Sequence, residues 1–237
     1  MKISLNELHV KCRNVFRGLG FPPGSDEEAA YIIGWLEIHR LDGLKQFPDI
    51  CACLKKNAFP SSVGFSGIGA IDCSQYCAIA VVPGAFDYLR SKDTDSQTCE
   101  LVIDRCSDAT LFLPLIMKYM DSKHSWVVDG ADGQSKTQIF ADVGNEQLYV
   151  ASSKQETAGS SSQIRIKRIN PLSSNSRNSS EGQSFASLHE REHHAIENGL
   201  EVEDTQWQFV LGMARKYLVP ASAESRKKGA GGGDSND

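Results

Sequence analysis

The stretch Gln138-Ile-Phe-Ala-Asp-Val-Gly144-Asn145-Glu-Gln-Leu-Tyr-Val-Ala151 decides the fold class. Two runs with strand-forming side chains, 138–143 and 147–151, flank Gly144-Asn145, residue types that tolerate the backbone of a tight hairpin turn. Strands adjacent in sequence pair antiparallel, which separates this chain from the strand–helix–strand repeat of a doubly wound sheet. Two further runs, Cys99 to Asp104 and Trp126 to Asp129, read as strands of the same sheet. In Gln163 to Ile169 the apolar Ile164, Ile166 and Ile169 are interleaved with Arg165, Lys167 and Arg168. That pattern predicts an edge strand with its polar side in water.

Helical patterning surrounds the strands. Ser4 with Glu7 forms a capping box, in which each side chain satisfies a backbone N–H at a helix start. Leu5, Leu8, Cys12, Val15, Phe16 and Leu19 then recur at helical spacing up to Gly18 and Gly20. Ser25 with Glu28 repeats the capping box for a second helix, which buries Ala29, Ile32, Ile33, Leu36 and Trp35 and ends at Leu41-Asp42-Gly43. Pro48 fits the first turn of a third helix carrying Ile50, Cys51 and Leu54, because its missing N–H costs nothing there. Residues 63–85 are glycine-rich and apolar, predicting strands or a loop before a short helix from Pro83 to Arg90. Ala109 to Met120 reads as an apolar helix with Pro114 in its early turns. Two more helices, Phe185 to Asn198 and Asp204 to Leu218, close the folded part before Pro220.

The expected fold is therefore α+β: an N-terminal three-helix segment, a mostly antiparallel sheet in the middle, two C-terminal helices and a Gly-rich tail. Its divisions are a helical segment (1–57), a sheet region (58–170), a loop (171–184), C-terminal helices (185–220) and a polar tail (221–237). The loop PLSSNSRNSSEGQS has almost no apolar side chain to offset the entropy of ordering.

Composition bounds the function. A chain of 237 residues with 40% hydrophobic content buries a core without staples. Its seven cysteines are odd in number and match neither a disulfide framework nor paired zinc knuckles. Cys51-x-Cys53 and Cys73-x-x-x-Cys77 read as small buried hydrophobes. A net charge of -5 leaves no basic footprint for nucleic acid. The opening MKISLNELHVKCR lacks the apolar run of a secretory signal, and nothing approaches the roughly 20 apolar residues of a membrane span. A cytoplasmic protein with no nucleic acid, membrane or cofactor is expected, compatible with a homo-oligomer.

Three segments are candidate sites. His189-Glu190-Arg191-Glu192-His193 has the HExxH spacing that places two imidazoles on one helix face to bind zinc, with a glutamate as general base. The two intervening charged residues and the absence of a third-ligand signal favour a solvated helix face, so no metal is assigned and His189 and His193 are weak candidates. Gly64-Phe-Ser-Gly67-Ile-Gly69 has its glycines out of order for a dinucleotide turn. His39 falls at a helix end, where the dipole favours a cation. The tail gathers Ser222, Ser225 and Arg226 before Gly229, Gly231, Gly232, Gly233 and Asp234, and glycine backbone beside an arginine can form an anion-binding nest.

From MKISLNELHVKCRNVFRGLGF at one end to Trp207, Tyr217-Leu-Val-Pro220, Ser225-Arg226, Gly229-Ala-Gly231 and Asp-Ser-Asn-Asp at the other, the chain resembles a bacterial family of uncharacterised proteins, a domain of unknown function. The resemblance implies that the tail is a native feature and brings no activity with it. The first 50 residues also resemble the N-terminal helices of the malate/L-lactate/ureidoglycolate dehydrogenases, an NAD(P)-dependent group outside the Rossmann class. In those enzymes the two-helix run leads to Ser-His-Gly, whose histidine is functional. The corresponding stretch here, Glu37-Ile-His39-Arg-Leu-Asp-Gly43-Leu-Lys-Gln-Phe47-Pro-Asp49, lacks it.

The leading expectation is a non-catalytic or accessory protein that presents its tail to a protein subunit or a small anionic metabolite. The alternative is an enzyme acting on a small polar metabolite, related to those dehydrogenases, and the third is an HExxH zinc hydrolase.

Overall fold

A computed structural model describes residues 1–57, 70–74, 76–92, 99–106, 108–131, 135–154, 162–170 and 182–217. A short strand β1 (Lys2–Ile3) precedes helix α1 (Leu5–Gly18), which starts as the capping box dictates, with Ser4 Oγ accepting from Glu7 N at 3.1 Å. Leu8, Cys12, Val15 and Phe16 form its buried stripe.

Helix α2 (Ser25–Ile38) buries the predicted residues but begins differently. Ser25 and Glu28 make no capping box: the N-cap is Gly24, with φ 92°, and Asp26 satisfies the free donors instead. Asp26 Oδ1 accepts from Gly24 N at 3.0 Å and Glu27 N at 2.9 Å, while Oδ2 accepts from Arg17 Nε at 2.8 Å. These donors are what allow a fully buried carboxylate to remain in place. Residues 29–30 and 32–36 of α2 are all buried, the mark of a helix enclosed on most sides.

Helix α3 (Gly43–Lys56) starts before the predicted point, so Pro48 lies inside it rather than in its first turn. Leu44 and Phe47 share the buried face of Ile50, Cys51 and Leu54, and burying that face outweighs the hydrogen bond that Pro48 cannot donate. Arg40 (φ 59°) and Asp42 (φ 57°) take left-handed backbone to turn the chain from α2 into α3. Gly43 is required at the corner, because a Cβ there would lie 2.9 Å from Glu37 N and closer still to the Ile33 carbonyl oxygen.

The sheet contains β2 (Ala70–Asp72), β3 (Cys99–Asp104), β4 (Ser125–Ala131), β5 (Ser135–Asp142), β6 (Gln147–Lys154), β7 (Gln163–Ile169) and β8 (Gln183–Ser184). Their order is β2-β3-β7-β4-β5-β6-β8, and every neighbouring pair is antiparallel except β2 with β3. The β5–β6 hairpin forms at the predicted place, with Phe140 opposite Tyr149 and their rings 5.9 Å apart. Both strands run further from the turn than read, the loop spans 143–146, and the left-handed backbone falls on Glu146 (φ 52°) rather than on Gly144 or Asn145. Strand β7 is no edge strand: it lies between β3 and β4. Arg165 and Lys167 keep the predicted place toward water and are in addition ion-paired. Arg165 Nη1 and Lys167 Nζ meet the two oxygens of Glu100 at 2.9 and 3.0 Å, and the buried Arg168 donates to the Arg90 and Lys92 carbonyls.

Helix α4 (Ala78–Ser91) begins ahead of Pro83, because Ile79, Val81 and Val82 belong to its buried surface. A 3-10 turn (Ala109–Phe112) runs into α5 (Leu113–Tyr119) with Pro114 at its start, as expected. Both α4 and that turn pack on the sheet. Cys73, which follows β2, and Cys77, the N-cap of α4, are buried as read, as is Cys51, while Cys53 is half-buried. Five of the seven cysteines are buried.

Two C-terminal helices, α6 (Phe185–Asn198) and α7 (Asp204–Tyr217), are separated by β9 (Leu200–Glu201), which pairs antiparallel with β1. The predicted loop 171–184 ends in β8, where Gln183 and Ser184 add to the β6 edge, while 171–181 lies outside the described residues. One continuous core joins Leu8 of α1, Ile33 of α2, Phe47 of α3, Phe86 of α4, Ile166 of β7 and Trp207 of α7. Among the described residues no helix is long and apolar enough to cross a membrane.

Candidate functional site

Helix α6 is held by few apolar anchors. Ser184 Oγ caps it by accepting from Ser187 N at 3.1 Å, and Leu188 and Ala195, two turns apart, are its buried residues. Between them Glu192 faces α2. Its Oε1 accepts from Trp35 Nε1 at 2.8 Å and lies 3.3 Å from His39 Nε2. A carboxylate only accepts, so the His39 proton sits on Nε2. The His39 ring lies against the Trp35 ring with centroids 4.0 Å apart, and its Nδ1 is buried without a partner. The hydrogen bond from His39 holds the Glu192 carboxyl below its ordinary pKa, against the opposing effect of burial and with further help from Trp35.

Sequence reasoning placed His39 at a helix end, and it is the C-cap of α2. What it missed was the partner. His39 is 3% exposed and bonded across the chain to α6, so it joins two helices rather than merely terminating one.

The HExxH segment lies on α6, where His189, Glu190 and His193 are all exposed. Its inward carboxylate is Glu192, with His189 Nδ1 3.7 Å from Glu192 Oε2. Among the described residues no three His, Cys, Asp or Glu side chains are arranged to hold a metal ion. The predicted tail residues Ser222, Ser225, Arg226, Gly229, Gly231, Gly232, Gly233 and Asp234 lie outside the described residues, as does Gly64 to Gly69.

Beside the network lies a charged groove of about 410 Å³ that sequence reasoning did not find. Lys2 reaches it from β1, Glu37 and Arg40 from the end of α2, Arg191 and His194 from α6, and Glu201 from β9. Gly199 (φ 75°) makes this convergence possible: a Cβ there would lie 2.5 Å from the Ile3 carbonyl oxygen and would push β1 away.

Among the described residues none of Lys2, Arg40 and Arg191 is in an ion pair; Arg191 Nη1 only approaches Gln183 Oε1, at 3.4 Å. On the acidic side, Glu37 Oε2 accepts from Leu44 N at 2.9 Å. Burial pushes the Glu37 carboxyl pKa up, against the hydrogen bond from Leu44 N, which lowers it. Three cations without an ion pair among the described residues thus share one concavity with the carboxylates of Glu37 and Glu201, so the basic groups outnumber the acidic ones there.

Residues 3–67 match a family described as a protein of unknown function, DUF3726. No curated protein sequence matches the chain. Several solved structures do resemble it in shape. Malate dehydrogenase from Entamoeba histolytica superposes with a TM-score of 0.67 at 7% identity, covering 93% of this chain and 99% of that one. Malate dehydrogenase from Pyrococcus horikoshii OT3 gives 0.66 at 9% identity, covering 93% and 96%. Sulfolactate dehydrogenase from Methanocaldococcus jannaschii gives 0.62 at 10% identity, covering 92% and 97%.

The fold is that of malate/lactate-type dehydrogenases. The similarity read from the first 50 residues therefore extends over nearly the whole chain as fold, while identities this low carry no activity with them. Ahead of Gly43 stand Leu41 and Asp42, where Ser-His-Gly would require serine and histidine.

Proposed function

We propose that this protein binds a small anionic metabolite of the carboxylate class in the groove lined by Lys2, Arg40, Arg191 and His194, and that it serves as a binding or accessory protein on a dehydrogenase-type fold. The observation that carries this reading is the set of three cations in one concavity, none of them in an ion pair among the described residues. Two of the similar structures are named for malate and sulfolactate, both organic anions, which agrees with the same ligand class. The missing Ser-His-Gly supports a binding role over hydride transfer. The tail, with Arg226 among hydroxyls and glycines, has the chemistry of a second anion- or partner-binding segment and is proposed as such.

Calorimetric titration with L-malate and with its uncharged diamide tests the reading. L-Malate binds, the diamide does not, and Arg40→Gln or Arg191→Gln weakens L-malate at least tenfold. Equal heats from both compounds would sink the charged groove as the binding site. An NADH oxidation assay with oxaloacetate or pyruvate separates the enzyme alternative, since turnover would contradict the accessory role. Removing residues 221–237 should leave L-malate binding at the groove intact while abolishing any partner captured through the tail.

A further inference from the structure

On the opposite flank of the α2–α6 contact lies a second groove, of about 500 Å³, lined mainly by apolar side chains of α1, α2 and α6. Tyr31 and Trp35 supply its aromatic walls, Leu5 and Ile38 aliphatic ones, and Ile196 stands at the rim with 66% of its surface exposed. An exposed isoleucine beside an apolar hollow is surface that a bound apolar group would cover.

The charge in this groove comes from Glu192. Its Oε1 is committed to Trp35 and His39, while among the described residues the ion-pair partner of Oε2 is the exposed His189, at 3.7 Å. The carboxylate is held ionised by the hydrogen bonds that fix its position. His9 shares the groove, and burial, then Arg13, lowers its pKa, so near neutral pH it adds no compensating cation. One face of the Tyr31 ring is already occupied by Lys118 Nζ, 4.6 Å from the centroid, so the ring offers a ligand apolar contact and the attraction for a cation rests on Glu192. Aromatic walls with one fixed anion suit a cation that also carries an apolar body.

From this arrangement we infer that the α1–α2–α6 groove is a binding site for a small amphipathic amine, whose ammonium meets Glu192 Oε2 and whose apolar body lies against Trp35, Tyr31 and Ile196. The site is distinct from the cationic groove and selects the opposite charge.

The test uses 2-phenylethylamine as probe, with 2-phenylethanol and phenylacetate as the neutral and anionic controls, each titrated calorimetrically into the full chain. Saturable binding of the amine, at least tenfold tighter than either control, is expected. Glu192→Gln should weaken the amine at least tenfold. Glu192 also joins two helices, so Ile196→Lys provides an independent arm: this exposed position folds with either side chain, and the new ammonium competes for Glu192 and should abolish amine binding. Amine binding no tighter than that of the alcohol, or unaltered in Ile196→Lys, would overturn the assignment.

Discussion

The two grooves share Ile38 and the same pair of helices, yet one is cationic and the other is apolar with a single anion. Helix periodicity produces the difference. On α6, Glu192 and Ile196 are one turn apart and face one flank, while Arg191 and His194 fall on the other. One helix contact thus yields two grooves of different charge. They also differ in how their charges are held: Glu192 is fixed by a buried tryptophan and a buried histidine, whereas Lys2 and Arg40 are exposed and unpaired among the described residues. Changes at Glu192 should therefore cost stability, and changes at Lys2 or Arg40 should cost binding alone.

The largest effect is expected from Glu192→Ala, which leaves the Trp35 and His39 donors without their acceptor. A loss of about 2 kcal/mol follows from two such donors near partial solvent, or roughly 4–8 °C in Tm, measurable by thermal or urea unfolding. Glu192→Gln retains an acceptor and should lose less. Gly43→Ala comes next, because a methyl group at the α2–α3 corner collides with α2 backbone. A cost of about 1–3 kcal/mol is expected by the same unfolding measurement, and the charged groove should feel it since the corner carries Arg40.

The pH dependence separates the flanks further. The folded-state pKa of Glu192 is lowered from 4.5, so its contribution to stability is complete above 4.5 and is lost as pH falls through the lower folded value. Urea midpoints measured on descending pH should show this acid-side loss in the native chain and a smaller one in Glu192→Gln. The smallest stability effect is expected from Arg40→Ala, within about 0.5 kcal/mol in unfolding. The same change should reduce L-malate affinity at least tenfold, and that affinity should fall with added salt because the cations are exposed.

Much of this architecture was legible in the sequence because it rests on local rules. The Ser4 cap, the pairing of β5 with β6, the extent of α6 and the start of α7 follow from side chains a few positions apart. What was not legible depends on residues distant in sequence. Strand β7 looks like an edge strand because of Arg165, Lys167 and Arg168, until Glu100 and the Arg90 and Lys92 carbonyls are seen to cover them. The start of α2 misled for a local reason, since Asp26 competes for the donors that Ser25 would have capped.

The sites were less legible than the fold. HExxH drew attention to His189, Glu190 and His193, and the glutamate that turns inward is Glu192, an outcome set by which face of α6 meets Trp35. Lys2, Arg40 and Arg191 bear no sequence relation to one another. They meet only because β1 pairs with β9 and the chain after α2 takes left-handed backbone.

The central claim is that the cationic groove holds a small organic anion, and nuclear magnetic resonance of the arginine Nε–Hε groups tests it most directly. Titration with L-malate should shift the Arg40 and Arg191 signals saturably and together, leaving Arg13, Arg165 and Arg168 in place. Shifts absent from Arg40 and Arg191, or spread equally over all arginines, would contradict it.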